Sequence, residues 1–128
     1  MSAELANALY GRLYDQLDNV ENVYPMRLPE GADLPSIVYQ QISGQRGATH
    51  SGDHGPHRTT WQVTVWAASY EQAKMLAAEV EGALNTWVDR TGTYTTESVA
   101  LVGGLIDLFD EPSRLYYIPI DVVLLYVP

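Results

Sequence analysis

Residues 58–67, Arg-Thr-Thr-Trp-Gln-Val-Thr-Val-Trp-Ala, followed two residues on by Tyr70-Glu71-Gln72-Ala73, decide the fold. Side chains alternate across a strand, so Trp61, Val63, Val65 and Ala67 lie on one face and Gln62, Thr64 and Trp66 on the other. The period then changes from two to 3.6. A helix is predicted from Tyr70 to about Trp87, with Tyr70, Ala73, Ala77, Val80, Leu84 and Trp87 as its buried stripe and Met75, Leu76 and Val88 widening it. Ser69 with Gln72 three residues on fits a capping box, which marks where this helix starts.

Upstream of that unit, Leu5, Leu9, Leu13 and Leu17 recur every four residues and predict a helix over Ala3–Leu17. Ser2 reads as its N-cap and Glu4 favours the dipole. Tyr24 to Ser36, broken by Pro25, Pro29, Gly31 and Pro35, reads as a stiff connector rather than an element. Ile37–Ser43 reads as a strand whose imperfect alternation implies a bulge or burial on both faces. Gly44–His57, with four glycines, reads as a long polar loop.

Downstream, Asp89–Thr96 reads as a polar turn. Val99–Phe109 and Leu115–Val127 read as a hairpin closed by Asp110-Glu111-Pro112-Ser113. In the last strand Tyr116, Ile118, Ile120, Val122, Leu124 and Tyr126 share one face, and Tyr117, Pro119, Asp121, Val123 and Leu125 the other. Pro119 cannot donate to a ladder, which puts it at an edge or a bulge. The order α-β-β-α-β-β predicts one α+β domain over residues 1–128, with a mostly antiparallel four-stranded sheet and two helices on one face.

The 128 residues are 46% hydrophobic and 18% charged, which fits a folded domain. Disulfides, thiolate metal sites and a cysteine nucleophile are excluded, because there is no cysteine. No signal peptide and no membrane-spanning run are predicted. The net charge is −9, with 4 basic and 7 acidic side chains up to Thr64 and 3 and 9 beyond it. A clasp on nucleic-acid phosphates needs clustered Lys and Arg, and Lys74 is the sole lysine. An acidic surface suits solubility, or a channel wall past which DNA slides without sticking.

Two groups of residues stand out as candidate sites. The first is the sheet face away from the helices, where Trp66, Leu105, Val123 and Leu125 would place apolar side chains on a contact surface. The second is the loop carrying His50, Asp53, His54 and His57, with Arg46 at its start. As a metal site it would need rigid supports that Gly52, Gly55 and Pro56 oppose, so it reads as a contact loop. A small metal-dependent or ligand-binding protein built on that loop is the alternative from another class. There is no G-x-S-x-G elbow, and Gly103-Gly104 lacks the lysine of a phosphate loop. No catalytic residue and no cofactor are predicted.

The blocks in order resemble the tail-completion (tail-terminator) family of siphophages. The resemblance rests on the leading helix, Tyr24-Pro25, Pro29, Leu34-Pro35-Ser36-Ile37-Val38-Tyr39-Gln40, Ile42-Ser43-Gly44, the Trp61–Ala67 strand, the helix from Tyr70-Glu71-Gln72-Ala73 to Ala83-Leu84, and Tyr116-Tyr117-Ile118-Pro119-Ile120-Asp121-Val122. Pro119 departs from the family's pattern. The resemblance implies a structural, non-enzymatic virion protein, assembled in the host cytoplasm, that caps the tail tube and forms the head–tail joining surface. It implies a homo-oligomeric ring, six-membered in the family, around a DNA channel without specific DNA binding. Its partners would be the tail tube protein and the head–tail connector or neck proteins, with no membrane. A neck or head-completion connector of the same particle is the nearer alternative.

Overall fold

A computed structural model describes residues 2–17, 22–46, 57–85, 87–89, 95–102 and 106–127. The elements are α1 (Ser2–Gln16), β1 (Val23–Pro25), β2 (Ser36–Arg46), β3 (His57–Ala67), α2 (Tyr70–Leu84), β4 (Val88–Asp89), β5 (Thr95–Val102), β6 (Leu108–Asp110) and β7 (Leu115–Val127). The strands form one sheet in the order β1-β2-β3-β7-β5-β4, with β6 also paired to β7. The α+β class and both helices agree with the sequence reading. The four predicted strands are the long ones, β2, β3, β5 and β7, and three short strands extend the sheet to seven.

The short strands correct three expectations. Val23–Pro25 lies within the expected connector but pairs parallel to β2, Val23 opposite Ile37 and Pro25 opposite Tyr39, so the sheet is mixed. Pro25 is tolerated because it ends an edge strand. The Ile37 amide donates to the Asn22 carbonyl (2.8 Å) and the Met26 amide to the Tyr39 carbonyl (2.9 Å), which extends this pairing at both ends. The polar turn Asp89–Thr96 is flanked by strand on both sides, since Asp89 ends β4 and Thr95 and Thr96 open β5. The expected strand Val99–Phe109 is two pieces, β5 and β6, both antiparallel to β7.

The loop expected over Gly44–His57 is shorter, because Gly44, Gln45 and Arg46 pair with Thr59, Arg58 and His57 in the β2–β3 ladder. A bulge between Gln41 and Ser43 resets the parity of β2. Val38 is buried on the face opposite Ile37 and Tyr39, so bulge and two-faced burial both explain the imperfect alternation. Pro119 sits on a central strand opposite Thr64. On its other side the partners of β7 among the described residues are β6 up to Tyr117 and β5 from Asp121 onward.

One face of the sheet carries the core. Trp61, Val63, Val65 and Ala67 of β3 and Ile118, Ile120, Val122 and Leu124 of β7 meet Leu5, Leu9, Leu13 and Leu17 of the first helical stretch and Ala73, Leu76, Ala77, Val80, Ala83 and Leu84 of α2. The helix-start signal at Ser69 is correct, since its side chain accepts from the Gln72 amide (3.2 Å). The helix ends earlier than expected, at Leu84, but Trp87 stays buried. Tyr70, Met75 and Val88 are exposed, contrary to the expected stripe: Met75 lies off the helical period set by Ala73, Ala77, Val80 and Leu84, Tyr70 is the first residue of the helix, and Val88 lies beyond its end, in β4. Ser2 is the first residue of α1 rather than its cap.

Arg12 joins the helices by donating from Nε to the Ala83 carbonyl (2.7 Å), one of the last-turn carbonyls α2 cannot satisfy itself, while its guanidinium lies over Trp87. Inside the core, Trp61 Nε1 donates to Thr59 Oγ1 (2.9 Å) and Thr59 Oγ1 donates to the Leu124 carbonyl (3.3 Å), so these buried polar groups are paired. No helix among the described residues is long and apolar enough to cross a membrane.

Leu9→Ala removes a fully buried side chain and lowers unfolding stability by about 2–5 kcal/mol. Met75→Ala, at a position 64% exposed, changes it by less than about 0.5 kcal/mol. Urea unfolding of the two variants beside the parent protein measures both.

Candidate functional site

The face of the sheet opposite the helices is built from the residues that β2, β3 and β7 point away from the core. Register stacks them in rows. Ser36, Trp66, Tyr117 and Leu108 form one row, Val38, Thr64 and Pro119 the next, and Gln40, Gln62 and Asp121 a third. Beyond them Thr60 stands opposite Val123 and Arg58 opposite Leu125.

The rows differ in chemistry. Trp66 and Tyr117 stack, with centroids 4.5 Å apart and planes 16° from parallel. In the third row Gln40 Nε2 donates to Gln62 Oε1 (3.4 Å) and Gln62 Nε2 to Asp121 Oδ1 (3.3 Å), so a polar ladder crosses three strands. The apolar rows floor a concavity of about 380 Å³, walled by Met26, Arg27 and Leu28 as the chain leaves β1. Trp66, Tyr117, Pro119, Val123 and Leu125 are all partly accessible. Among the described residues the face is thus an apolar band crossed by one polar rung.

Met26 closes the wall in an uncommon backbone state. Its φ is 71°, and the Arg27 amide donates to the Pro25 carbonyl (2.8 Å), forming a γ-turn of the rare, strained kind. A non-glycine residue held there costs about 1–3 kcal/mol, and such strain gathers at ligand clamps and switch regions. The turn leaves the Met26 side chain 66% exposed at the rim of the band.

The predicted site residues divide clearly. Trp66, Val123 and Leu125 lie on the outer face as expected. His50, Asp53, His54 and Leu105 lie outside the described residues. Arg46 and His57 are opposite each other at the end of the β2–β3 ladder, strand residues rather than loop residues. Among the described residues no group of three or more His, Asp or Glu side chains has metal-binding geometry. Sequence reading missed Met26, Leu28, Leu108 and Tyr117. Tyr117 had a signal, since it shares the strand parity of Val123 and Leu125, whereas the return of residues 26–28 over the sheet depends on the unforeseen β1 pairing.

A second polar cluster braces β6 and the segment before it. Tyr70 Oη donates to Asp107 Oδ2 (2.8 Å) and Lys74 Nζ donates to Asp107 Oδ1 (3.2 Å), tying the first turn of α2 to the chain entering β6. Tyr116 packs against both Tyr70 and Phe109, and Arg114 lies over Phe109. The Tyr70 hydrogen bond first, and then the Lys74 ammonium, hold the Asp107 carboxyl below its usual range. Lys74 and Tyr70 are pushed up, each chiefly by its hydrogen bond to Asp107. This exposed brace positions Leu108 against Tyr117.

What these parts define is a class, an α+β domain whose mixed sheet is covered by helices on one side and presents a half-apolar contact face on the other. The family model described as Tail completion protein gp17 matches residues 2–112, and the chain belongs to that phage tail-completion family. Its role is accordingly tail completion, as a structural component of the virion. A solved structure, of a protein whose printed name states no function, is similar over 98% of this chain and 96% of its own, with a TM-score of 0.64 and 17% identity, a likeness of fold alone. Comparison with curated proteins gives no significant match.

Because the folded-state carboxyl of Asp107 is depressed, the stability it contributes is present above its unfolded value near 3.9 and lost as pH falls through the lower folded value. NMR titration of the Asp107 side chain is expected to give a midpoint below about 3.9, rising toward that value in Tyr70→Phe.

Proposed function

We propose that the protein caps the finished tail tube, ends tail growth and forms the surface on which the head joins the tail. It does so as a homo-oligomeric ring, six-membered, around the DNA channel, after assembly in the host cytoplasm. Membership of the tail-completion family over residues 2–112 carries this reading. The outer face supports it, because a sheet face with Trp66, Tyr117, Val123 and Leu125 partly accessible is a surface made for protein contact. Its partners are the tail tube protein on one side and the neck or connector proteins on the other. The net charge of −9 suits a ring that DNA traverses without being held.

Electron microscopy of lysates from a phage or prophage with this gene disrupted tests the role. Filled heads beside overlong, unjoined tails are expected. Tails of normal length left unattached would move the protein to the neck, and intact infectious particles would refute the reading. Complementation with parent protein is expected to restore joined particles. The double variant Trp66→Asp and Val123→Asp, folded by circular dichroism, is expected to fail.

A further inference from the structure

The sheet ends on two edges that are only partly covered. On one side β1 pairs with Ile37–Tyr39 of β2, which leaves Gln40–Arg46 without a strand partner there among the described residues. On the other side β4 pairs with Thr96 and Glu97 of β5, which leaves Ser98–Val102 open in the same sense. A row of unpaired backbone donors and acceptors is a template for another strand, and proteins that must stay apart blunt such edges with charges, lysine above all, or with proline. Here Gln40-Gln41-Ile42-Ser43-Gly44-Gln45 and Ser98-Val99-Ala100-Leu101-Val102 hold neither, and Arg46 at the end of the β2 window is the one charge in the two, in a chain whose net charge is −9.

We infer that these two edges pair with each other between neighbouring copies, β2 of one protomer adding antiparallel to β5 of the next. The inference deepens the ring reading above and rests on it. Direction fits. The three junctions β2–β3, β3–β7 and β7–β5 are all antiparallel, so β2 and β5 run oppositely within one copy. A rotation about an axis along the strands preserves those directions, and the new junction is then antiparallel as well, the more stable ladder. The contact joins two different surfaces, and a heterologous contact closes into a ring when its rotation permits.

Position fits too. Gln40 stands in the row of Val102, and Gly44 in the row of Ser98, so the two open windows lie at one level of the sheet. Gln40–Gly44 face Ser98–Val102 in these rows, and the junction ends there, because Gln45 and Arg46 fall in the rows of Glu97 and Thr96, which β4 covers. Each edge strand also carries a bulge, between Gln41 and Ser43 and between Ser98 and Ala100. A bulge locally disrupts a ladder and is itself a device that guards edges, so the junction is regular only in the rows on either side of the two bulges.

Because the chain has no cysteine, two introduced thiols report the junction. Ser43→Cys, Ala100→Cys and the double variant are incorporated into particles, and each is treated with a short bismaleimide. The double variant is expected to give a ladder of covalent oligomers up to the full ring. An equal mixture of the single variants should stop at dimers, and either single variant alone should stay monomeric. Particles that join normally and contain the double variant but give no ladder, or a single variant that cross-links to itself, overturn the edge pairing and leave the ring reading standing. Tails that complete with the protein absent overturn both. Hydrogen exchange on the unmodified protein guards against a folding defect of the variants. Amides of residues 40–44 and 98–102 are expected to slow on passing from free protein to particle, and unchanged exchange in both segments overturns the inference.

Discussion

The β3–β7 ladder is the constraint on which the rest of the structure depends. Its eleven registered pairs run from His57 opposite Tyr126 to Ala67 opposite Tyr116 without a break. Because side chains alternate, this one register sends Trp61, Val63 and Val65 with Val122, Ile120 and Ile118 to the helices. It sends Gln62, Thr64 and Trp66 with Asp121, Pro119 and Tyr117 outward. A slip of one residue would exchange the two sets. It would bury Gln62 and Asp121, whose desolvation the core could not offset, and expose the valines and isoleucines. Core and contact face are therefore two consequences of a single pairing.

The outer face is apolar only in part. The Gln40–Gln62–Asp121 rung interrupts it, the Trp66–Tyr117 stack satisfies part of it internally, and residues 26–28 fold over one side. The positive φ of Met26 is the strain required for that fold-over. On the other side, Asp107 anchors the chain entering β6 to α2, so that Leu108 reaches the band from a fixed position. Helix packing, edge pairing and a surface brace thus converge on one patch.

Periodicity made most of this legible in the sequence. The leucine stripe of α1, the alternation of β3 and the capping signal at Ser69 each specify a local geometry, and each is present. What sequence did not disclose is non-local. Val23–Pro25 becomes a strand only because β2 offers it an edge, and a three-residue parallel pairing has no period of its own. Arg46 and His57 extend a ladder into apparent loop because strands propagate once paired. Met75 looks like core by residue type, yet the helical period set by Ala73 and Ala77 turns it outward, and Tyr70 is exposed at the first position of the helix. Of the candidate site, Trp66, Val123 and Leu125 were readable from parity. The wall of Met26 and Leu28 was not, since it is made by a returning chain rather than by a pattern.

Radical footprinting of aromatic side chains, in the isolated protein and in assembled particles, tests the central claim that the outer sheet face is a contact surface. Trp66 and Tyr117 lie on that face, while Tyr10 and Tyr14, stacked and exposed on α1, provide a reference away from it. The account predicts that Trp66 and Tyr117 lose labelling on assembly relative to Tyr10 and Tyr14. Equal labelling of Trp66 and Tyr117 in both states would contradict it, leaving the apolar band as no more than the uncovered back of the sheet.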